Sequence, residues 1–213
     1  MLFSCGQEHK STQVIDPKDT ETSNTSDITE FQSIVAISND KYIDTEYVYA
    51  DSGDNQIIIE NSLPKGGLKY AAPDGKEYVY AVFWTRITNE TNDPFELTIE
   101  FPENSYELPS SPGRFFKLFI PSDTMTPDKE PLFNYGLDLE EYLDNNLNSK
   151  AALKRTIYPK SYSCFYIVTL FNKWVNGTLR TGLSITGQNI FYRINDREIH
   201  CGNIDLKQLN LKN

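Results

Sequence analysis

Between Tyr78 and Phe101 side-chain character alternates with a period of two residues, and no other feature narrows the choice of fold as much. Val79, Ala81, Phe83, Thr85 and Ile87 fall on one face of an extended segment, and Tyr78, Tyr80, Val82, Trp84 and Arg86 on the other. With both faces largely apolar, this strand is expected near the centre of a sheet. Asn89-Glu90-Thr91-Asn92-Asp93-Pro94 supplies turn residues. Phe95, Leu97, Ile99 and Phe101 then alternate with Glu96, Thr98 and Glu100, as in a strand with one buried and one wet face.

Shorter runs predict further strands at Gln56 to Glu60, Phe115 to Ile120, Tyr162 to Phe171, Thr178 to Thr186, Asn189 to Ile194 and Ile204 to Leu209. Leu63-Pro64-Lys65-Gly66-Gly67, Pro73-Asp74-Gly75 and Tyr158-Pro159-Lys160 read as the turns between them. Asp138 followed by Glu141 gives a helix start, and Leu139, Tyr142, Leu143 and Leu147 recur at helical spacing. The sum is an all-β antiparallel sandwich with one short inserted helix, expected to plug an end of it.

The segment Tyr78 to Thr91 with its following strand Phe95 to Phe101 is similar to the central hairpin of immunoglobulin-like domains in extracytoplasmic bacterial lipoproteins. Pro159-Lys160 leading into Tyr162 to Phe171 resembles the late proline turn that feeds a core strand there. The resemblance implies an immunoglobulin-like β-sandwich. The antibody-type pattern is absent, since Cys164 and Cys201 do not bracket a core Trp.

At the start of the chain, Leu2-Phe3-Ser4-Cys5-Gly6 resembles the lipobox of bacterial lipoproteins, which implies that Cys5 is acylated. Four residues precede Cys5, so a cleavable signal, with its apolar run of about 7 to 15 residues, requires apolar codons upstream of Met1. From Gly6 to Glu30 the chain is polar and charged apart from Val14, Ile15 and Ile28, as a disordered tether would be. Two domains follow: residues 1–30 as lipobox remnant and tether, residues 31–213 as the sandwich. Acyl chains contribute about 0.8 kcal/mol per buried CH₂, so two or three chains hold a protein at a membrane without any spanning segment. With the immunoglobulin-like hairpin, this resembles the lipoproteins of Bacteroidota and implies an outer-membrane-anchored address in the cell envelope, periplasmic or surface-exposed. The alternative is an untethered protein.

The net charge of −10 argues against nucleic acid and against adhesion to anionic lipid. With Cys5 acylated, Cys164 and Cys201 remain, either as a disulfide or as two buried thiols. Histidine occurs only as His9 and His200. Adjacent residues on a strand point to opposite faces, so His200 and Cys201 do not make a metal site, and no metal or other cofactor is expected. No Gly-x-Ser-x-Gly elbow accompanies His200. Glu96 and Glu100 fit the wet face of a strand, Asp51-Ser52-Gly53-Asp54-Asn55 an Asx-rich turn.

Trp174 is the remaining lead. It sits in Asn172-Lys173-Trp174-Val175-Asn176-Gly177, a loop between strands, where a planar ring either stacks on a ligand or folds back over the sandwich end. The expected function is a non-catalytic binding or structural module whose partner is a protein or a glycan. A carbohydrate-binding module is the first alternative and a carboxylate-dependent hydrolase the second.

Overall fold

The structure is a computed structural model that describes residues 40–50 and 55–204. Cys5 and the tether lie outside the described residues, as do residues 51–54 and 205–213. A single 3₁₀ turn, Asp40–Tyr42, leads into strands β1 (Ile43–Ala50), β2 (Gln56–Ser62), β3 (Lys65–Ala71), β4 (Glu77–Asn89), β5 (Phe95–Glu100), β6 (Tyr106–Glu107) and β7 (Phe115–Phe119). Two further 3₁₀ turns and helix α1 (Leu139–Asn146) follow, then β8 (Ala152–Ile157), β9 (Ser161–Phe171), β10 (Thr181–Thr186), β11 (Asn189–Ile194) and β12 (Arg197–Ile204).

Among the described residues all strand pairs are antiparallel, and they form two sheets. The larger has the order β1-β2-β4-β9-β7-β6, with β3 lying end to end with β2 along the same edge of β4. The smaller has the order β10-β11-β12-β5-β8. Inward residues of both, among them Ile57, Ile87, Leu97, Phe165, Ile167, Leu183 and Tyr192, make the core between the sheets. The all-β antiparallel sandwich expected from the sequence is the fold found.

β4 is central, as its doubly apolar pattern predicts. Ile87 enters the inter-sheet core, whereas Tyr80, Val82 and Trp84 enter a second apolar cluster on the outer side of the larger sheet. That second cluster exists because residues 120–151 fold across this face. Leu139 and Leu143 of α1 are buried there with Met125 and Tyr135, against Tyr166 and Val168 of β9. The helix therefore covers a sheet face rather than plugging an end, a correction with a simple cause: Tyr80, Val82, Trp84, Tyr166 and Val168 are too apolar to be left in water. The Asp138 carboxylate accepts from the Glu141 amide at 3.4 Å, the cap anticipated from the sequence, and the Tyr70 hydroxyl donates to Asp144 at 2.7 Å to tie α1 to β3.

The insertion contains three consecutive residues in the left-handed region, Asn134 (φ 48°), Tyr135 (φ 56°) and Gly136 (φ 71°). Tertiary bonds hold this turn. The Tyr135 hydroxyl donates to the Leu63 carbonyl and the Tyr166 hydroxyl donates to the Tyr135 carbonyl, both at 2.7 Å. The Lys65 ammonium donates to the carbonyls of Glu130 and Leu132 and sits 4.1 Å from the centroid of the Tyr135 ring.

Segments read from the sequence as turns or left unread prove to be strands. Leu63 to Gly67 is not simply a turn, because Lys65 already begins β3. Gly66 there has φ 106°, and a Cβ on it would lie 2.8 Å from the Tyr80 ring, so only glycine allows the approach. Among the described residues the last strand is Arg197–Ile204, which the sequence left unread; the strand expected at Ile204 to Leu209 lies, apart from Ile204, outside the described residues.

Cys164 and Cys201 are free and buried, which corrects the candidate disulfide. Cys164 belongs to the outer cluster and Cys201 to the inter-sheet core, so a sheet separates them. Burial pushes both thiols up to about 12.

Two buried polar constructions join the parts. Arg86 meets Glu60 on the neighbouring strand with Nε–Oε2 at 2.5 Å and Nη2–Oε1 at 2.6 Å, a bidentate pair with almost no solvent contact. Asn61 bridges the two sheets: its Oδ1 accepts from the Leu183 amide (2.8 Å) and the Thr85 hydroxyl (3.0 Å), while its Nδ2 donates to the Leu183 carbonyl and the Thr45 hydroxyl (both 3.1 Å). The Asn61 side chain thus stands in for the neighbouring strand that edge strand β10 lacks on this side.

Candidate functional site

The loop between β9 and β10 carries Trp174. Asn172 anchors its start by accepting from the Phe115 amide at 2.9 Å and donating to the Gly113 carbonyl at 3.3 Å. Arg114 Nε donates to the Trp174 carbonyl at 2.7 Å. With the backbone held, Val175 and Leu179 turn inward and pack on the core, while Trp174 stays 51 % exposed. The covering of the sandwich end is thus done by Val175 and Leu179. Beside the ring lies a pocket of about 250 Å³ walled by Pro64, Val79, Ala81, Phe171, Val175 and Leu179. Lys65 is the pocket's one titratable side chain besides Tyr80, and its ammonium is engaged by the Glu130 and Leu132 carbonyls. Such a wall accepts apolar groups and offers few directed hydrogen bonds.

A second concavity, of about 350 Å³, opens where the edge strand β1 meets β10. Tyr47 forms one wall; Ser184 and Thr186 of β10, Arg193 of β11 and Glu198 of β12 form the other. Behind it the Tyr49 hydroxyl accepts from the Ile185 amide at 2.7 Å, and burial raises that phenol. A third, of about 170 Å³, lies at the C-terminal end of α1, with Lys117 donating to the Leu147 carbonyl at 3.3 Å and Glu103 and Lys150 beside it.

The sequence-derived candidates are not brought together. His200 lies exposed on the outer face of the smaller sheet with its ring 5.4 Å from that of Phe191, and its neighbour Cys201 points into the core. Glu96 and Glu100 are exposed on β5, where Glu96 accepts from the Thr156 hydroxyl and lies 3.7 Å from Lys154. Among the described residues no group of three or more His, Cys, Asp or Glu could hold a metal ion, and no helix is long and apolar enough to cross a membrane.

Sequence reasoning missed the groove at β1. One signal pointed to half of it: Asn195-Asp196 is a two-residue hairpin turn, with Asn195 at φ 49°, and a turn there puts Arg193 directly opposite Glu198. No family model, curated protein or solved structure matches the chain.

Proposed function

We propose that this chain is a bacterial cell-envelope lipoprotein, anchored through Cys5, whose sandwich is a non-catalytic binding module with its contact centre at Trp174. The observation that carries the reading is the half-exposed Trp174 ring held by a fixed backbone on the rim of an apolar pocket. A large aromatic side chain left at a rigid loop tip beside a vacant apolar wall is the arrangement found at the energetic centre of protein contacts. A bulky apolar side chain of a protein partner suits the wall best. Sugar binding at this point is less well served, because the Asn172 amide and Arg114 Nε already hold the loop. Hydrolysis by paired carboxylates finds little support: the Trp174 pocket has no carboxylate in its wall, and the other two described have one each, Glu198 and Glu103.

The anchor reading is supported by Leu2-Phe3-Ser4-Cys5-Gly6 and the polar stretch behind it. Mass spectrometry of the protein from its native host should find a diacylglyceryl group on Cys5; a bare thiol on soluble protein would refute it. For the binding site, peptides selected from a displayed library against the wild-type domain should carry a bulky apolar residue and lose affinity about tenfold or more for Trp174→Ala. Equal binding to both proteins would remove Trp174 from the contact.

A further inference from the structure

The groove between β1 and β10 is a different place with different chemistry from the Trp174 pocket, and we infer that it binds a neutral oligosaccharide. Its polar groups are unspent. Among the described residues no hydrogen bond or ion pair engages the side chains of Tyr47, Ser184, Thr186, Arg193 or Glu198. That is unexpected for Arg193 and Glu198, which are direct cross-strand partners in the register of β11 and β12. Surface pairs elsewhere in the structure, Lys154–Glu96 and Arg197–Glu103, do close to 3.7 Å. Arg193 and Glu198 therefore offer a planar donor fork and a planar acceptor pair side by side, which is the hydrogen-bonding complement of vicinal hydroxyls.

Tyr47 supplies the apolar component. Its ring is half-buried beside Tyr49, with centroids 6.5 Å apart, and it forms the wall facing the polar groups. A sugar ring has one C–H-rich face and a rim of hydroxyls, so an aromatic wall opposite hydroxyls and a charged pair matches it on both counts. Ser184 pairs with Phe191 and Phe191 with His200 in the sheet register, so all three share the outer face. A chain of sugars leaving Tyr47 across the strands would meet the Phe191 and His200 rings next.

Charge selects a neutral ligand. One guanidinium and one carboxylate cancel in the groove, and the protein as a whole carries −10, which repels anions. The backbone disfavours a peptide strand at β10, because the Leu183 amide and carbonyl are taken by Asn61 and the Ile185 amide by Tyr49. Gly182 keeps the floor low: a Cβ there would sit 3.4 Å from Asn61 Nδ2 and Thr45 Oγ1. The volume of about 350 Å³ falls at the lower end of the roughly 300–1,000 Å³ found for small-ligand sites.

The test is an array of neutral gluco-, manno-, xylo- and N-acetylglucosamine oligomers, with titration calorimetry on whatever binds. The wild-type domain should retain at least one class. Tyr47→Ala and Glu198→Gln, each with an unchanged urea midpoint, should weaken binding about tenfold or more, while Trp174→Ala changes it less than about twofold. Retention of no oligomer, binding that ignores both groove variants, or displacement of the sugar by an extended peptide would each overturn the inference. Loss of sugar binding with Trp174→Ala alone would also overturn it, and would move the sugar to the other pocket.

Discussion

Asn61→Leu is the most informative single change in this molecule. Asn61 is 1 % exposed, and leucine matches its side chain in branching and number of heavy atoms, so the substitution removes hydrogen bonds without opening a cavity. It strands the Leu183 amide, the Leu183 carbonyl and the Thr85 hydroxyl, all buried; the Thr45 hydroxyl is partly exposed and can turn to water. A buried polar group left without a partner costs about 1–3 kcal/mol, so the three together set a floor of about 3 kcal/mol. Against a total stability of about 5–15 kcal/mol, that is a large share. Urea unfolding followed by far-UV circular dichroism reads it as a lower midpoint at unchanged slope. Adding Thr85→Val removes one stranded group, so the double variant should recover about 1 kcal/mol relative to Asn61→Leu. An Asn61→Leu midpoint within about 0.5 kcal/mol of wild type would refute the argument that this side chain replaces a strand for β10.

Gly202→Ala should be as damaging, since a Cβ there would lie 2.0 Å from the Thr98 carbonyl oxygen, where β12 pairs with β5; a loss of about 3 kcal/mol or more is expected, with exchange protection lost first in those two strands. Arg86→Met alone strands the Glu60 carboxylate and should cost about 3–5 kcal/mol in the same urea assay, whereas Arg86→Met with Glu60→Leu should recover most of it. Alkali should weaken the fold: Cys164 and Cys201 are raised from 9.0 to about 12, and Tyr135 and Tyr142 from 10.0 to about 12, by burial. These groups hold their protons in the folded chain after the unfolded chain has released them. Stability is therefore full below about pH 9 and falls towards pH 12, which urea midpoints at intervals across that range would show; a flat profile would contradict it.

The parts of the fold legible in the sequence are those where local pattern and tertiary burial agree. β4, β5 and β9 alternate cleanly or run apolar because whole faces are buried, and α1 announces itself by Asp138. β12 was hidden by a bulge. Phe191 pairs with His200 and Ile190 with Gly202, leaving Cys201 as the extra residue, so its buried positions Ile199, Cys201 and Ile204 break the period of two. β3 was hidden by Gly66, which serves the close passage of Tyr80, and by Gly67, the extra residue where the register against β4 shifts. Trp174 could be found because its loop is punctuated by Asn and Gly. The groove could not, because it needs β1 and β10 side by side, and the Tyr49 and Ile185 that join there are 136 residues apart.

The 120–151 segment gives the molecule a front and a back. One broad side is sealed by a helix and its flanking turns, while the opposite strands meet solvent directly with Phe191, Arg193, Glu198 and His200 displayed in rows. For anyone immobilising or labelling this protein, chemistry attached to exposed positions of α1 such as Glu140 leaves the rows unobstructed. Conjugation through Lys154, whose side chain stands 74 % open beside Glu96, would place the linker on the same face as the rows.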